Sequence, residues 1–358
     1  MGKREDHNDE VRGYILENVR AHPKDISKLV AQQFHVSREA ALKHVRALIQ
    51  QRALAVSGST RDRSYELLPT VDETWHFSLG EGLEEDKVWR THVAPLLEGV
   101  RKNVIDICQY GLTEMLNNAV EHSEGQAVSV DVEIWPDLIE LTVYDDGVGI
   151  FNKIQRAYGL DDPLHAILEL SKGKLSTDSG RHTGEGVFFT SRMFDFFSIL
   201  SDRIRFGHKA PDFDAMLEDA EPMRGTAVFM EISPKADRTA AGVFDRFSVE
   251  PGGFGFDRTI VPVSLARYGN ENLISRSQAR RLLARLDRFK EVRLDFRKVD
   301  MIGQAFADEV FRVFPSQHPD VHLIPIEANE QILKMIARTQ ANAEQEQPAP
   351  PKGTDGGR

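Results

Sequence analysis

The sequence predicts a multidomain α/β protein, and three observations carry that prediction. A chain of 358 residues with 41% hydrophobic composition is too long for one small core. Its apolar spacing changes along the chain, from helical near the N-terminus to an alternation of strand and helix beyond residue 258. Between these regions lie two glycine-bearing turns, "DDGVGI" (145–150) and "GRHTGEGVFF" (180–189), each where regular elements meet.

Charge separates the N-terminal part from the rest. Residues 1–68 carry twelve Lys and Arg against nine Asp and Glu, whereas the whole chain is at −11. A basic end on an acidic body points to a polyanion partner for that end. The single cysteine, Cys108, cannot close an intrachain disulfide. It reads as a small core residue in a reducing compartment. No apolar leader opens the chain and no apolar run is long enough to span a bilayer, so a cytoplasmic protein without membrane contact is expected.

Residues 10–68 read as three short helices and a hairpin. "DEVRGYILENVRAH" has helical apolar spacing and is closed by His22-Pro23. Asp25 is the expected cap of "ISKLVAQQF" and Ser37 that of "REAALKHVRALIQQ". "ALAVSGSTRDRSYELL" then gives two strand-like runs around a polar turn. This order resembles a winged helix-turn-helix domain over residues 1–68, with the third helix as recognition helix. Ala41, Leu42, Val45, Leu48 and Ile49 would face the core, leaving Glu39, Ala40, Lys43, Arg46 and Ala47 outward. The resemblance implies double-stranded DNA contacts from Ser37, Arg38, Lys43 and Arg46, with Arg61 and Arg63 on the wing. A solvated helix face, or a winged helix used for protein contacts, is the alternative.

Residues 75–232 form the second expected domain. Helical "EDKVWRTHVAPLLEGV" and "NVIDICQYGLTEMLNNAVEH" precede strand-like "AVSVDVEIW", a Pro136-Asp137 turn, and "LIELTVYDDGVGI". An irregular stretch, 151–183, leads to helical "GEGVFFTSRMFDFF" and a closing strand, "GTAVFMEI". Within "TEMLNNAVEH", Glu114, Asn118 and His122 are spaced by four and share one helix edge, beside the apolar Met115, Leu116, Ala119 and Val120.

The order of these pieces resembles the GHKL, or Bergerat, ATP-binding fold, an α/β sandwich. "EMLNNAVEH" is closest to the form found in anti-sigma-factor kinases and histidine kinases. The resemblance implies ATP and Mg²⁺ as ligands. Asn118 would ligate Mg²⁺ through its amide oxygen, and Glu114 would polarise a water or hydroxyl for attack on the γ-phosphate. His122 and Glu121 would lie near the phosphates or ribose. Asp145 would accept from the adenine amine with help from Thr226, and Gly147 and Gly149 would admit the base. Gly184 and Gly186 would offer backbone N–H groups to the phosphates. Residues 151–183 would form a lid, with Lys172, Lys174 and Arg181 as candidate phosphate contacts. Phe188 departs from the family, which often has a small residue there. The usual phosphoacceptor pattern of a histidine kinase is not found around His92 in "RTHVAPLL".

Residues 233–257 read as a linker, and 258–340 as a small α/β domain of alternating strands and helices. "VRLDFRKVDMIGQAFADEVFRVF" resembles a STAS-like domain of unknown function. Its helix opens with Gly303, Gln304 and Ala305, without the acceptor hydroxyl of true STAS antagonists. Asp300, Asp308 and Glu309 read as exposed helix-face carboxylates. The polar, Pro/Gly-rich residues 341–358 read as a disordered tail. Together these resemblances imply an ATP-dependent bacterial regulator that binds DNA. A protein serine kinase acting on a separate STAS-type partner, and an ATP-bound scaffold without catalysis, are the alternatives. A regulatory protein partner and a homodimer both stay open.

Overall fold

The computed structural model describes residues 2–59, 62–80, 82–175, 184–209, 213–217, 221–250, 255–267 and 271–346. The chain divides into two compact units, one of residues 1–149, 190–213 and 218–239, the other of 150–189, 214–217 and 240–358.

The first unit opens with helices α1 (Gly2–Asn18), α2 (Ile26–Gln33) and α3 (Arg38–Gln50), then the antiparallel hairpin β1 (Leu54–Ser57) and β2 (Ser64–Leu67). Val11, Ile15, Val30, Val45, Leu48 and Leu54 lie in their shared core. Ser37 caps α3, its hydroxyl accepting from Ala40 N–H at 3.1 Å. Asp25 makes no side-chain cap. Its carboxylate instead meets His22 Nδ1 at 3.2 Å, and its carbonyl accepts from Lys28 and Leu29.

Strand β3 (Val71–Ser78) begins before the expected domain boundary. The helix expected over 85–100 is a broken one. Helix α4 (Glu85–Val88) passes into a π-turn at Trp89–Val93 and a 3-10 turn at Ala94–Leu97. Pro95 is the physical reason, because its ring removes a donor and obstructs the preceding turn. Helix α5 (Lys102–His122) and strands β4 (Ala127–Ile134) and β5 (Ile139–Asp145) follow as read from sequence.

From residue 150 the chain runs through α6 (Ile150–Tyr158), α7 (His165–Lys172), α8 (Gly186–Met193), β6 (Phe196–Asp202), β7 (Ile204–Lys209), β8 (Phe213–Leu217) and β9 (Met223–Ile232). The stretch expected to be irregular therefore holds two helices. "FDFF" leaves α8 and enters β6, because alternate burial on a sheet suits its aromatic residues.

Within the first unit the strands pair antiparallel in the order β3-β4-β5-β9-β6-β7. Period-two alternation gives the sheet two faces. Val132, Leu141, Met230 and Phe197 lie in buried positions toward α5, which packs on β5 and β9. Glu133, Glu140 and Glu231 line up across neighbouring strands on the other face. Gly111 lets α5 sit close, since a Cβ there would lie 2.5 Å from the Phe194 ring.

The second unit contains α6, α7, α9 (Ala240–Arg246), β10 (Arg258–Pro262), α10 (Arg276–Leu283), β11 (Glu291–Asp295), α11 (Gln304–Asp308), α12 (Phe314–Gln317), β12 (His322–Ile326) and α13 (Glu330–Glu346). Its sheet is parallel, in the order β10-β11-β12. Ser275 and Gln278 form a capping box at the start of α10. The expected linker includes α9, and α13 continues six residues into the segment read as tail. Residues 347–358 lie outside the described residues. Glu309 is buried and paired with Arg280 at 2.8 Å, correcting its reading as an exposed carboxylate. Asp308 is half-buried and bonded to Arg312 at 2.9 Å.

Candidate functional site

Strand β5 is apolar along its helix-facing side until it ends at Asp145. That carboxylate is only 6% exposed. Its register partner on β9 is Thr226, 7% exposed, which donates to it through both backbone N–H and hydroxyl. Gly147 N–H donates to Asp145 Oδ1 at 2.9 Å. Burial raises the Asp145 carboxyl above its ordinary value, opposed by these hydrogen bonds and reinforced by the neighbouring Asp146 charge. Gly225 has φ +79°, and a Cβ on it would lie 1.8 Å from the Asp145 carbonyl oxygen. No side chain fits there, so glycine is what brings Thr226 beside Asp145.

The turn after Asp145 is held against the end of α5. A Cβ on Gly147 would stand 2.0 Å from the Ser123 carbonyl oxygen, and Val148 N–H donates to that oxygen at 2.8 Å. Close packing against Ser123 thus accounts for Gly147, whose expected role was to admit a base. Gly149 has φ +84°. Asp146 clamps the other side. Its Oδ1 accepts from Gln126 N–H at 2.7 Å and Ala127 N–H at 3.0 Å, and these bonds lower its carboxyl below the ordinary value. Sequence reasoning did not single out Ser123 or Asp146. The only available signal was the second acid of "DD" and a turn serine one residue past the helix.

Helix α5 ends beside this turn. Glu114, Asn118 and His122 are each half-buried along one edge, while Met115, Leu116 and Ala119 are buried in the core. His122 Nε2 lies 3.9 Å from Glu121 Oε2. The Asn118 amide nitrogen is buried and has no hydrogen-bond partner among the described residues. Buried polar atoms are nearly always satisfied, and what this N–H donor lacks is an acceptor, such as a water or phosphate oxygen. Oxygen of an amide suits a hard cation such as Mg²⁺. No group of three or more His, Cys, Asp or Glu side chains among the described residues forms a metal cluster.

Gly184 and Gly186 lie in the second unit. Gly184 has φ +68°, its carbonyl accepts from Leu175 N–H at 3.1 Å, and Gly186 opens α8. Phe188 packs edge-to-face on Phe247 and tilted against Phe256, at 4.9 and 4.7 Å between ring centroids. The large residue at this position is a core residue of that unit. Lys172 is 1% exposed and fully engaged by protein acceptors, so it is not placed to meet a phosphate. Lys174 donates to the Arg288 carbonyl at 2.9 Å, and Arg181 lies outside the described residues.

On α3, Ala41, Val45 and Leu48 are buried, Leu42 and Ile49 half-buried, and Glu39, Lys43 and Arg46 exposed. Ala40 and Ala47, expected outward, are half-buried too, so the two expected faces are distinct at Ala41, Val45 and Leu48 on one side and Glu39, Lys43 and Arg46 on the other. Arg38 and Arg63 are exposed, and Arg38 Nε donates to Ser27 Oγ at 3.3 Å. The Ser37 hydroxyl is occupied by its cap, and Arg61 lies outside the described residues.

Among the described residues no helix is long and apolar enough to cross a membrane. No curated protein matches the chain. Residues 278–333, from α10 into the first turn of α13, match the family model of a STAS-like domain of unknown function (DUF4325).

Proposed function

We propose that this protein is an ATP-responsive regulator with a GHKL-type nucleotide site on α5, β5 and β9 and a winged-helix DNA-binding face on α3. The observation that carries the nucleotide reading is the Asp145 arrangement. A buried carboxylate is aimed by Gly147 and Thr226 at the end of a strand, beside a helix edge bearing Glu114 and the orphaned Asn118 amide. Such a carboxylate discriminates for an exocyclic amine, because leaving it unpaired in a buried site is costly.

In this reading Asp145 accepts from adenine, and Asn118 offers its amide oxygen to Mg²⁺. The bound metal would neutralise phosphate charge. Glu114 orients the attacking water or hydroxyl. Lys43 and Arg46 would contact DNA phosphates or guanine edges, Arg38 and Arg63 the backbone.

Titration calorimetry with ATP, ADP and Mg²⁺, on the wild-type chain and on Asp145→Asn, tests the nucleotide site. Loss of one charge-assisted hydrogen bond predicts about 10- to 100-fold weaker binding in the variant. Absence of binding to the wild type, or equal binding to both proteins, would reject the site. Free phosphate or a labelled partner protein, as product, then separates hydrolysis from transfer.

A further inference from the structure

The STAS-like domain holds a cavity of about 320 Å³ between the end of α10 and the α11–α12 segment. Small-molecule sites begin at about this size. Leu283, Val313 and Phe314 supply its apolar lining, and Arg280, Arg285 and His318 bring cationic or imidazole groups to it. All of these residues belong to the second unit.

Two irregular stretches of backbone shape the walls. Helix α11 passes into α12 through a π-turn, Glu309–Val313, a form found mostly at functional sites. Helix α10 stops at Leu283, where Lys172 from α7 donates to the Arg281 and Ala284 carbonyls at 2.9 and 3.0 Å. Arg285 then takes φ +63°, a left-handed conformation that is costly for a residue with a side chain. Its Nε donates to Glu169 Oε2 at 2.9 Å, and its guanidinium lies 4.4 Å from the centre of the Tyr158 ring. Strain held in place by surrounding contacts in this way is characteristic of ligand clamps.

The charges of the lining leave donors in excess. Glu309 is 8% exposed and accepts from Arg280 Nε at 2.8 Å, with Arg276 Nε at 3.9 Å, so its charge is met within the protein. The terminal nitrogens of Arg280 have no partner among the described residues, and that side chain is 70% exposed. The His318 ring lies 4.5 Å from that of Phe314. Gln317 adds a carboxamide. Against these groups stands one exposed carboxylate, Asp287, which has no partner among the described residues.

We infer that this cavity binds a small organic anion, with a phosphate or carboxylate head on Arg280 and Arg285 and an apolar body against Leu283, Val313 and Phe314. A guanidinium offers planar paired donors that match such oxyanions, and the apolar body gains by leaving water. Asp287 repels a second negative group, which favours ligands with a single anionic head. The site stands on the second unit alone and does not depend on the nucleotide reading.

The test is methyl NMR on the full chain with labelled Leu and Val, titrated with phenyl phosphate and with neutral benzyl alcohol. Expected are saturable shifts of the Leu283 and Val313 methyls with phenyl phosphate, at a Kd of about 1 mM for a ligand of this size. Benzyl alcohol should bind at least about tenfold more weakly, and so should phenyl phosphate to Arg280→Gln. Equal affinity for the two probes would overturn the inference, as would shifts confined to first-unit methyls such as Leu116 and Val143. Arg280→Gln also takes a counter-charge from the buried Glu309. The comparison of the two probes on the wild-type chain decides the matter even if that variant folds poorly.

Discussion

Replacing Lys172 by Met should change how the second unit's stability depends on pH. Burial, the largest influence, pulls the Lys172 ammonium down to about 8, although Glu169 opposes the shift. In the unfolded chain the group titrates near its ordinary 10.5. Between these values the unfolded state binds the proton that the folded state has released, so stability rises with pH across that window. A displacement of this size corresponds to about 3 kcal/mol. Met preserves the apolar stem and removes the titration. It also leaves the Arg281 and Ala284 carbonyls without their donor, at a cost of about 1–3 kcal/mol each. Glu169 keeps Arg285 as counter-charge. The destabilisation caused by Lys172→Met should therefore be about 3 kcal/mol larger near pH 10.5 than at pH 7. Urea unfolding of both proteins, followed by exchange of peptides from 165–175 and 280–289, gives the two differences. Other groups titrating in that range cancel in the comparison. Parallel pH profiles for wild type and variant would refute the reasoning.

Three further expectations follow from the first unit. Gly225→Ala should cost more than about 2 kcal/mol, because both its φ and the 1.8 Å approach to the Asp145 carbonyl oppose a Cβ, and thermal unfolding will show the loss. Cys108 is completely buried and its thiol is pushed up to about 12, so a thiol reagent at pH 8 should label it only as fast as the first unit opens. Labelling at the rate of a free thiol would contradict that burial. If α3 enters a DNA groove, Lys43→Ala and Arg46→Ala should each lower the slope of log affinity against log salt by about 0.9. An unchanged slope would remove those side chains from the interface.

The broad α/β organisation was legible because apolar periodicity is a local property. The alternating strand β5 and the one-sided helices α3 and α5 stand close to where their patterns place them. Asp145 and Thr226 were legible as polar residues at ends of strands, and the register brings them side by side. The role of Gly147 was not, because its close neighbour is the carbonyl of Ser123, twenty-four residues earlier in the chain.

By itself, then, the sequence determined which segments can be helix or strand, which faces are apolar, and where acid, amide and glycine residues cluster. Tertiary structure decided the rest. "SRSQARRLLARLDRF" reads as one helix, yet it stops at Leu283 and passes through Arg285 at φ +63°, where that residue is held by Glu169 from more than a hundred residues away. Lys172 reads as a loop cation and is instead a buried donor to the end of α10. Periodicity reports the neighbours a residue has along the chain. The partners that compensate a buried charge come from distant segments, and only folding brings them within bonding distance.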